Sequence, residues 1–232
     1  MEKKESWFLK LKKVIGKILK KEDKKVDRKE ISKKISQYEK EGNNKKAVKL
    51  GKKFNDDKVI QSQMIPIHLR NGKKEEALRI GEKFSDDRVI QSQIVKLFLE
   101  QGQIKEAMEI GKRFPNYFMI HNQIITKLIK EINDNPQDTK IQENIEQMED
   151  KWAKVILYSA LAEKTNSKSS AQKFIKDLKK SGKVDEEHRH LISSLEQRLQ
   201  RKNSRIFDQG FYLRQFNELQ NKKRTTPQNS ER

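Results

Sequence analysis

The chain has no cysteine, which excludes disulfides, thiolate metal sites and cysteine nucleophiles. Only four prolines and nine glycines interrupt its 232 residues, so most of the sequence is compatible with helix. No apolar run approaches the roughly 20 residues of a membrane-spanning helix, and lysines interrupt the apolar residues near the N-terminus. We therefore expect neither a membrane span nor a signal peptide, and the expected location is the cytoplasm.

Apolar residues are also scarce relative to charged ones, at 33% against 38%. This balance is too polar for one large core, but it suits a thin two-layer repeat fold with much exposed surface. The net charge is +19, and the excess is densest at the two ends, where residues 1–41 carry 15 basic against 8 acidic side chains. The sequence therefore does not predict a uniform basic stripe of the kind that binds nucleic acid.

The most prominent feature that is present is an internal repeat with a period of 30 residues. Four positions recur in three copies, namely Gly42, Ala47, Gly51 and Phe54, then Gly72, Ala77, Gly81 and Phe84, then Gly102, Ala107, Gly111 and Phe114. A fixed period in this range indicates stacked helical units, each too small to bury its own apolar face. Such a fold favours binding over catalysis.

Each unit is predicted to contain two helices. Asp86 and Asp87 precede an amphipathic run over residues 89–101, and aspartate suits a helix N-terminus because its carboxylate accepts free backbone N–H groups. Gly102 follows that run, where glycine tolerates the left-handed conformation that ends a helix. The second helix is predicted over residues 105–114.

Small residues recur four apart in the second helix of each unit, as in Ala77 and Gly81. A glycine inside a helix costs about 1 kcal/mol relative to alanine. Its use at the same register in three copies therefore predicts close approach of a neighbouring helix. We expect Phe54, Phe84 and Phe114 to lock successive hairpins together.

The period decays after residue 133, where Pro136 breaks the pattern, and helical spacing then resumes. The predicted fold is all-α, a right-handed α-solenoid of helical hairpins. Its predicted parts are a basic amphipathic N-terminal helix in residues 1–26, 30-residue repeats in 27–135, diverged helical hairpins in 136–203, an aromatic amphipathic C-terminal helix in 204–220 and a disordered tail in 221–232.

The stretch VIQSQIVKLFLEQGQIKEAMEIGKRF, residues 89–114, resembles a tetratricopeptide repeat in its glycine followed five residues later by alanine. The resemblance covers residues 31–130 and implies a stack of helical hairpins that binds a protein or peptide segment in a concave groove. The chain departs from that family in its 30-residue period, in Val95 where a small residue is usual, and in Gly111 where an aromatic residue is usual.

The same residues resemble a shortened pentatricopeptide repeat, a family that binds single-stranded RNA one base per repeat. That resemblance would place base-reading positions at Ser62, Ser92 and Asn122. Binding of single-stranded RNA or another nucleic acid is therefore the alternative to protein binding.

Residue patterns typical of catalysis are missing. There is no glycine-rich phosphate loop, no HExxH metal pair and no nucleophile elbow. His188 and His190 are two apart, which places them on different sides of a helix. His68 and His121 occupy repeat positions filled elsewhere by Phe98 and Gln91. We therefore predict no enzyme activity, no catalytic or metal-binding residues and no cofactor.

Glutamines form the polar set that recurs most regularly at the period of the repeat. The predicted partner-binding residues are Gln61, Ser62, Gln63, Gln91, Ser92, Gln93, Asn122 and Gln123. Two interpretations remain open at this point. The glutamines either hydrogen-bond between helices of the stack, or they line a groove and hold the backbone of an extended peptide or RNA strand.

The segment over residues 7–21 is predicted to form a helix that is apolar on one face and cationic on the other. Its candidate docking residues are Trp7, Phe8, Leu11, Lys12, Lys13, Ile15, Lys17 and Ile18. Such a helix either covers the open end of the repeat stack or contacts a partner or an anionic membrane from the cytoplasm.

The function predicted from the sequence is therefore that of a basic, non-catalytic adaptor, a tetratricopeptide-like repeat protein that acts by protein binding.

Overall fold

The structure, a computed structural model, describes residues 27–165, 167–180, 184, 186–200 and 207–225. Twelve α-helices and no strands lie in this part of the chain. The helices are α1 (Arg28–Lys40), α2 (Asn44–Lys52), α3 (Lys58–Arg70), α4 (Lys74–Lys83), α5 (Arg88–Glu100), α6 (Ile104–Arg113), α7 (Phe118–Asp134), α8 (Thr139–Gln147), α9 (Lys151–Thr165), α10 (Ser169–Lys180), α11 (Glu186–Gln200) and α12 (Gln209–Thr225).

Two units share these helices, and the boundary between them falls within α5, after Ile90. In the first unit α1 packs on α2, α3 packs on α4, and α3 also contacts α1 and α2. Its buried apolar residues are Ile31, Ile35, Ala47, Ile60, Met64, Ile65, Ile67, Ala77, Ile80 and Ile90. The all-helical architecture and the contacts between neighbouring helices are those expected of a helical repeat protein.

The turn inside each predicted hairpin has the same geometry in all three copies. Gly42, Gly72 and Gly102 have φ values of 69°, 70° and 73°. In the first copy the Gly42 N–H donates to the Glu39 carbonyl at 3.0 Å, and the Asn43 N–H donates to the Tyr38 carbonyl at 2.7 Å. This pair of bonds is a Schellman motif. The prediction that a left-handed glycine ends the first helix of each repeat is confirmed.

Aspartate caps the first helix in two of the 30-residue repeats, also as predicted. Asp57 Oδ1 accepts from the backbone N–H groups of Val59 and Ile60 at 3.0 and 3.2 Å, and its other carboxylate oxygen lies 2.6 Å from Arg28 Nε. Asp87 repeats the arrangement, with Lys58 Nζ at 3.4 Å. Partial burial opposes ionisation of Asp57, but these backbone and cationic donors outweigh it and hold its pKa below the usual value.

Two of the three repeated glycines, Gly51 and Gly111, mark close helix contacts, in agreement with the sequence analysis. A Cβ atom built on Gly51 of α2 would lie 2.8 Å from Cγ of Met64, a fully buried residue of α3. One built on Gly111 of α6 would lie 3.1 Å from Ile124 Cδ1 of α7. The phenylalanines expected to lock the hairpins are only half-buried, and Phe84 and Phe114 cap the C-termini of α4 and α6.

The second unit departs from a simple series of hairpins. Its helix α9 contacts α7, α8, α10, α11 and α12, and eight of its 15 residues are buried. The last helix, α12, packs back on α7 as well as on α9. A strict solenoid has contacts only between successive repeats. The diverged hairpins predicted for residues 136–203 therefore assemble around a central helix.

The aromatic C-terminal helix expected from the sequence corresponds to α12. The aromatic C-terminal helix was predicted over residues 204–220 with a disordered tail from 221, whereas α12 continues to Thr225. Tyr212, Phe216 and Leu219 of this helix are buried. Their burial explains why helix formation is favourable up to the polar residues that follow.

Leucine at position 51 is expected to destabilise the protein by about 1–3 kcal/mol, because the added side chain must displace the buried Met64. Alanine at position 111 is expected to change the free energy of unfolding by less than about 1 kcal/mol, because its gain in helix propensity offsets the contact with Ile124. Chemical denaturation of both variants, with Lys49→Leu on the exposed side of α2 as control, measures the difference. Equal stability of Gly51→Leu and the control would contradict the close contact.

Candidate functional site

Three large apolar side chains stand out as exposed in the described part of the chain. Val59, Val89 and Met119 are 42%, 48% and 48% exposed. They are spaced 30 residues apart, and each lies in the first turn of its own helix, α3, α5 or α7. An exposed apolar residue at a single position needs no explanation, but recurrence at the repeat period indicates a common surface role.

Residues three and four positions further along each helix share the face of these apolar side chains. On α3 they are Ser62 and Gln63, both half-buried. We use the name first-helix face for these positions within each unit, namely Val59, Ser62, Gln63 and Val89 in the first unit and Ser92, Gln93, Met119, Asn122 and Gln123 in the second. Six of the nine were predicted as partner-binding residues, whereas the apolar three were not.

Glutamine on this face connects one first helix to the preceding one. In the first unit the Gln63 amide donates to the Ser32 hydroxyl, which joins α3 to α1. In the second unit Gln123 Nε2 donates to Ser92 Oγ at 3.0 Å, which joins α7 to α5. These two glutamines therefore hydrogen-bond between helices of the stack. The carbonyl oxygens of Gln63, Gln93 and Gln123 are buried and accept no hydrogen bond.

Gln61 and Gln91, also predicted as partner-binding residues, lie inside the fold at 7% and 2% exposed. Gln61 Nε2 donates to the carbonyls of Gly51 and Phe54, both at 3.0 Å. These carbonyls lie at the C-terminal end of α2 and just beyond it, and they also accept the backbone N–H groups of Phe54 and Asp57. His121 occupies the same repeat position, with Nε2 3.0 Å from the Phe114 carbonyl. The side chain at this repeat position thus contacts carbonyls at the C-terminal end of the preceding second helix.

The three positions proposed to read RNA bases differ in their contacts. Ser62 Oγ donates to the Val59 carbonyl at 2.9 Å. Ser92 is buried and accepts from Gln123. Asn122 is half-buried, and its side-chain oxygen has no partner. Both serine hydroxyls are therefore engaged within the protein.

A proline inside α3 lies on the same side of this helix as Val59, about two turns further along. It was not among the residues predicted from the sequence. Pro66 is half-buried and follows Ser62 by one turn. Proline has no N–H, so the Ser62 carbonyl loses the donor that an α-helix normally supplies.

The described residues contain no candidate metal centre. No group of three or more histidines, aspartates and glutamates lies close enough to hold a metal ion in that part of the chain. An open cavity of about 380 Å³ beside α6 and α7 includes His121 and Asp150. However, His121 faces the Phe114 carbonyl and Asp150 caps α9 through the Trp152 and Ala153 N–H groups.

The segment over residues 7–21, with its predicted docking residues, lies outside the described part of the chain. Among the helices that are described, none combines the length and the apolar character needed to cross a bilayer.

A buried ion pair in the second unit joins three helices. Arg198 of α11 forms two bonds to Glu163 of α9, at 3.0 and 2.8 Å. The Tyr212 hydroxyl of α12 donates to Glu163 Oε2 at 2.6 Å. Burial raises the pKa of Tyr212, and the bond to Glu163 raises it further. Because all three side chains point at one another, we assign this cluster to stability.

No protein-family model, curated protein sequence or solved structure matches this chain. The candidate site therefore rests on the residues of the chain itself.

Replacing Tyr212 with phenylalanine is expected to lower stability at pH 7 by about 1–3 kcal/mol, since Glu163 loses a buried donor. A tyrosine whose pKa is raised on folding contributes stability that is complete below its unfolded pKa of about 10 and is lost as pH rises further. The stability difference between wild type and variant should therefore narrow above pH 10. Tyr158, whose pKa burial raises to about 12, is present in both proteins and provides the internal control.

Urea denaturation at pH 7, 9 and 11 measures the difference. A constant difference across this range would show that Tyr212 does not need its proton for folding.

Proposed function

We propose that this protein is a non-catalytic binding scaffold, a tetratricopeptide-like α-solenoid in which the first-helix face of a unit binds an extended segment of a protein partner. The observation that supports this most directly is the exposure of Val59, Val89 and Met119 at 30-residue intervals. Within the first unit, exposed apolar residues one repeat apart, Val59 and Val89, match a ligand that presents apolar side chains at intervals along an extended backbone.

The polar groups beside the apolar residues suit a peptide backbone. The Ser62 carbonyl has no helical donor because of Pro66, so the N–H of a bound peptide can supply one. An apolar anchor next to such an acceptor provides both affinity and register.

The electrostatic character of the face favours protein over nucleic acid. All nine residues of the first-helix face are uncharged, and none is aromatic. Affinity for single-stranded nucleic acid comes largely from cationic groups on the phosphates and from aromatic rings under the bases. The engaged hydroxyls of Ser62 and Ser92 also reduce the support for base reading.

Replacing Val59 and Val89 together with aspartate should remove peptide binding while preserving the fold, because aspartate is favourable in the first turn of a helix. The control variant carries Asn55→Asp and Ser85→Asp, exposed positions in the loops before α3 and α5, with the same change in net charge. Linear peptides selected from a displayed library on the full chain provide the ligand. Fluorescence anisotropy should show at least about tenfold weaker binding to the valine variant, since about 1.4 kcal/mol of lost apolar burial gives that factor.

Peptides that bind the valine variant and the control equally would exclude the first-helix face as their site. If the chain instead selects no peptide but binds pooled single-stranded RNA at physiological salt, and the valine variant loses that binding, the face is a nucleic-acid surface.

A further inference from the structure

Among the second helices of the three repeats, α2 differs from α4 and α6 in its charge. Helix α2 and its cap carry Lys45, Lys46, Lys49, Lys52 and Lys53 and no acidic residue, and all five lysines are exposed. By contrast, α4 contains Glu75, Glu76 and Glu82, and α6 contains Glu106 and Glu109.

The five lysines lie on one face of α2. At 100° per residue they fall within an arc of about 120°, along about 12 Å of the helix. Ala47 and Gly51 on the opposite side are buried against the rest of the hairpin. We name this surface the α2 lysine face.

None of the five ammonium groups forms a salt bridge with a described carboxylate. The nearest acidic residues along the chain are engaged elsewhere, since Glu41 accepts from Gln37, Asp56 pairs with Lys83 and Asp57 pairs with Arg28. Six cationic side chains elsewhere in the first unit do have carboxylate partners, namely Arg28, Lys34, Lys58, Arg70, Arg79 and Lys83. The α2 lysine face is therefore a concentration of positive charge without compensation among the described residues.

We propose that the α2 lysine face docks on an anionic lipid surface. Lysine is a flexible point charge suited to phosphate and carboxylate headgroups, whereas planar, bidentate recognition of nucleic acid favours arginine. The face has no arginine and no aromatic residue of its own, and the nearby Tyr38 ring is covered by the Lys46 ammonium, 5.8 Å from its centroid. Bases of a single strand thus have no ring on which to stack.

This inference concerns the outer side of α2 and is independent of peptide binding by the first-helix face. Full-length protein should sediment with vesicles of one part phosphatidylserine to three parts phosphatidylcholine, and not with phosphatidylcholine alone. Changing all five lysines of α2 to glutamine should weaken the vesicle affinity by at least about tenfold, since each lysine near such a surface contributes roughly fivefold.

The matched control removes the same charge from the second unit, at Lys96, Lys130, Lys140, Lys173 and Lys176, all exposed. It should retain vesicle affinity within about threefold, because only the lysines nearest the lipid surface contribute strongly. Circular dichroism of both variants checks the fold, which glutamine preserves through its good helix propensity.

Equal sedimentation with both kinds of vesicle, or equal loss in the α2 variant and the control, would overturn the proposal. So would loss of binding to polyuridylate or duplex DNA in the α2 variant while its vesicle affinity stays unchanged, which would assign the face to nucleic acid.

Discussion

Close contact between a second helix and the first helix that follows it is the constraint on which the repeat region depends. At Gly51 the backbone of α2 comes so near Met64 that even a methyl group would collide, and Gly111 places α6 similarly against α7. The same contact fixes which side of each first helix is buried. Because Met64 and Ile124 point toward the preceding second helix, Val59 and Met119 must lie on the free side. Glycine costs about 1 kcal/mol relative to alanine inside a helix. It is tolerated at these positions because the close packing it permits stabilises the fold by more than that.

Much of this fold could be predicted from the sequence because its determinants are local. The left-handed glycines, the capping aspartates and the small residues of the second helices each act within a few residues, and each recurs in register. The central position of α9 and the return of α12 to α7 could not be predicted. They depend on contacts between residues far apart in sequence, such as the bond between Tyr212 and Glu163, and no local pattern encodes such a pairing.

The candidate site was predicted less completely than the fold. Its glutamines and serines stood out because polar residues at a fixed period are conspicuous, yet several of them hold the helices together. Val59 was overlooked because it adjoins Ile60, and an apolar pair at a helix start looks like one core contact. Only the structure separates the buried Ile60 from the exposed Val59. In a thin repeat fold, apolar residues therefore serve both the core and the surface, and the two uses differ by a single position.

The position of α9 has a consequence for how the second unit folds. Helix α9 is surrounded by α7, α8, α10, α11 and α12. A partly assembled unit would therefore leave apolar side chains of α9 exposed to water. A linear array can gain structure one repeat at a time, whereas closure of α12 on α7 links residues almost 100 positions apart. Such closure requires a large loss of chain entropy before its contacts form, which slows folding and makes it cooperative. The same chain thus combines a region able to form by stepwise growth with one that must assemble all at once.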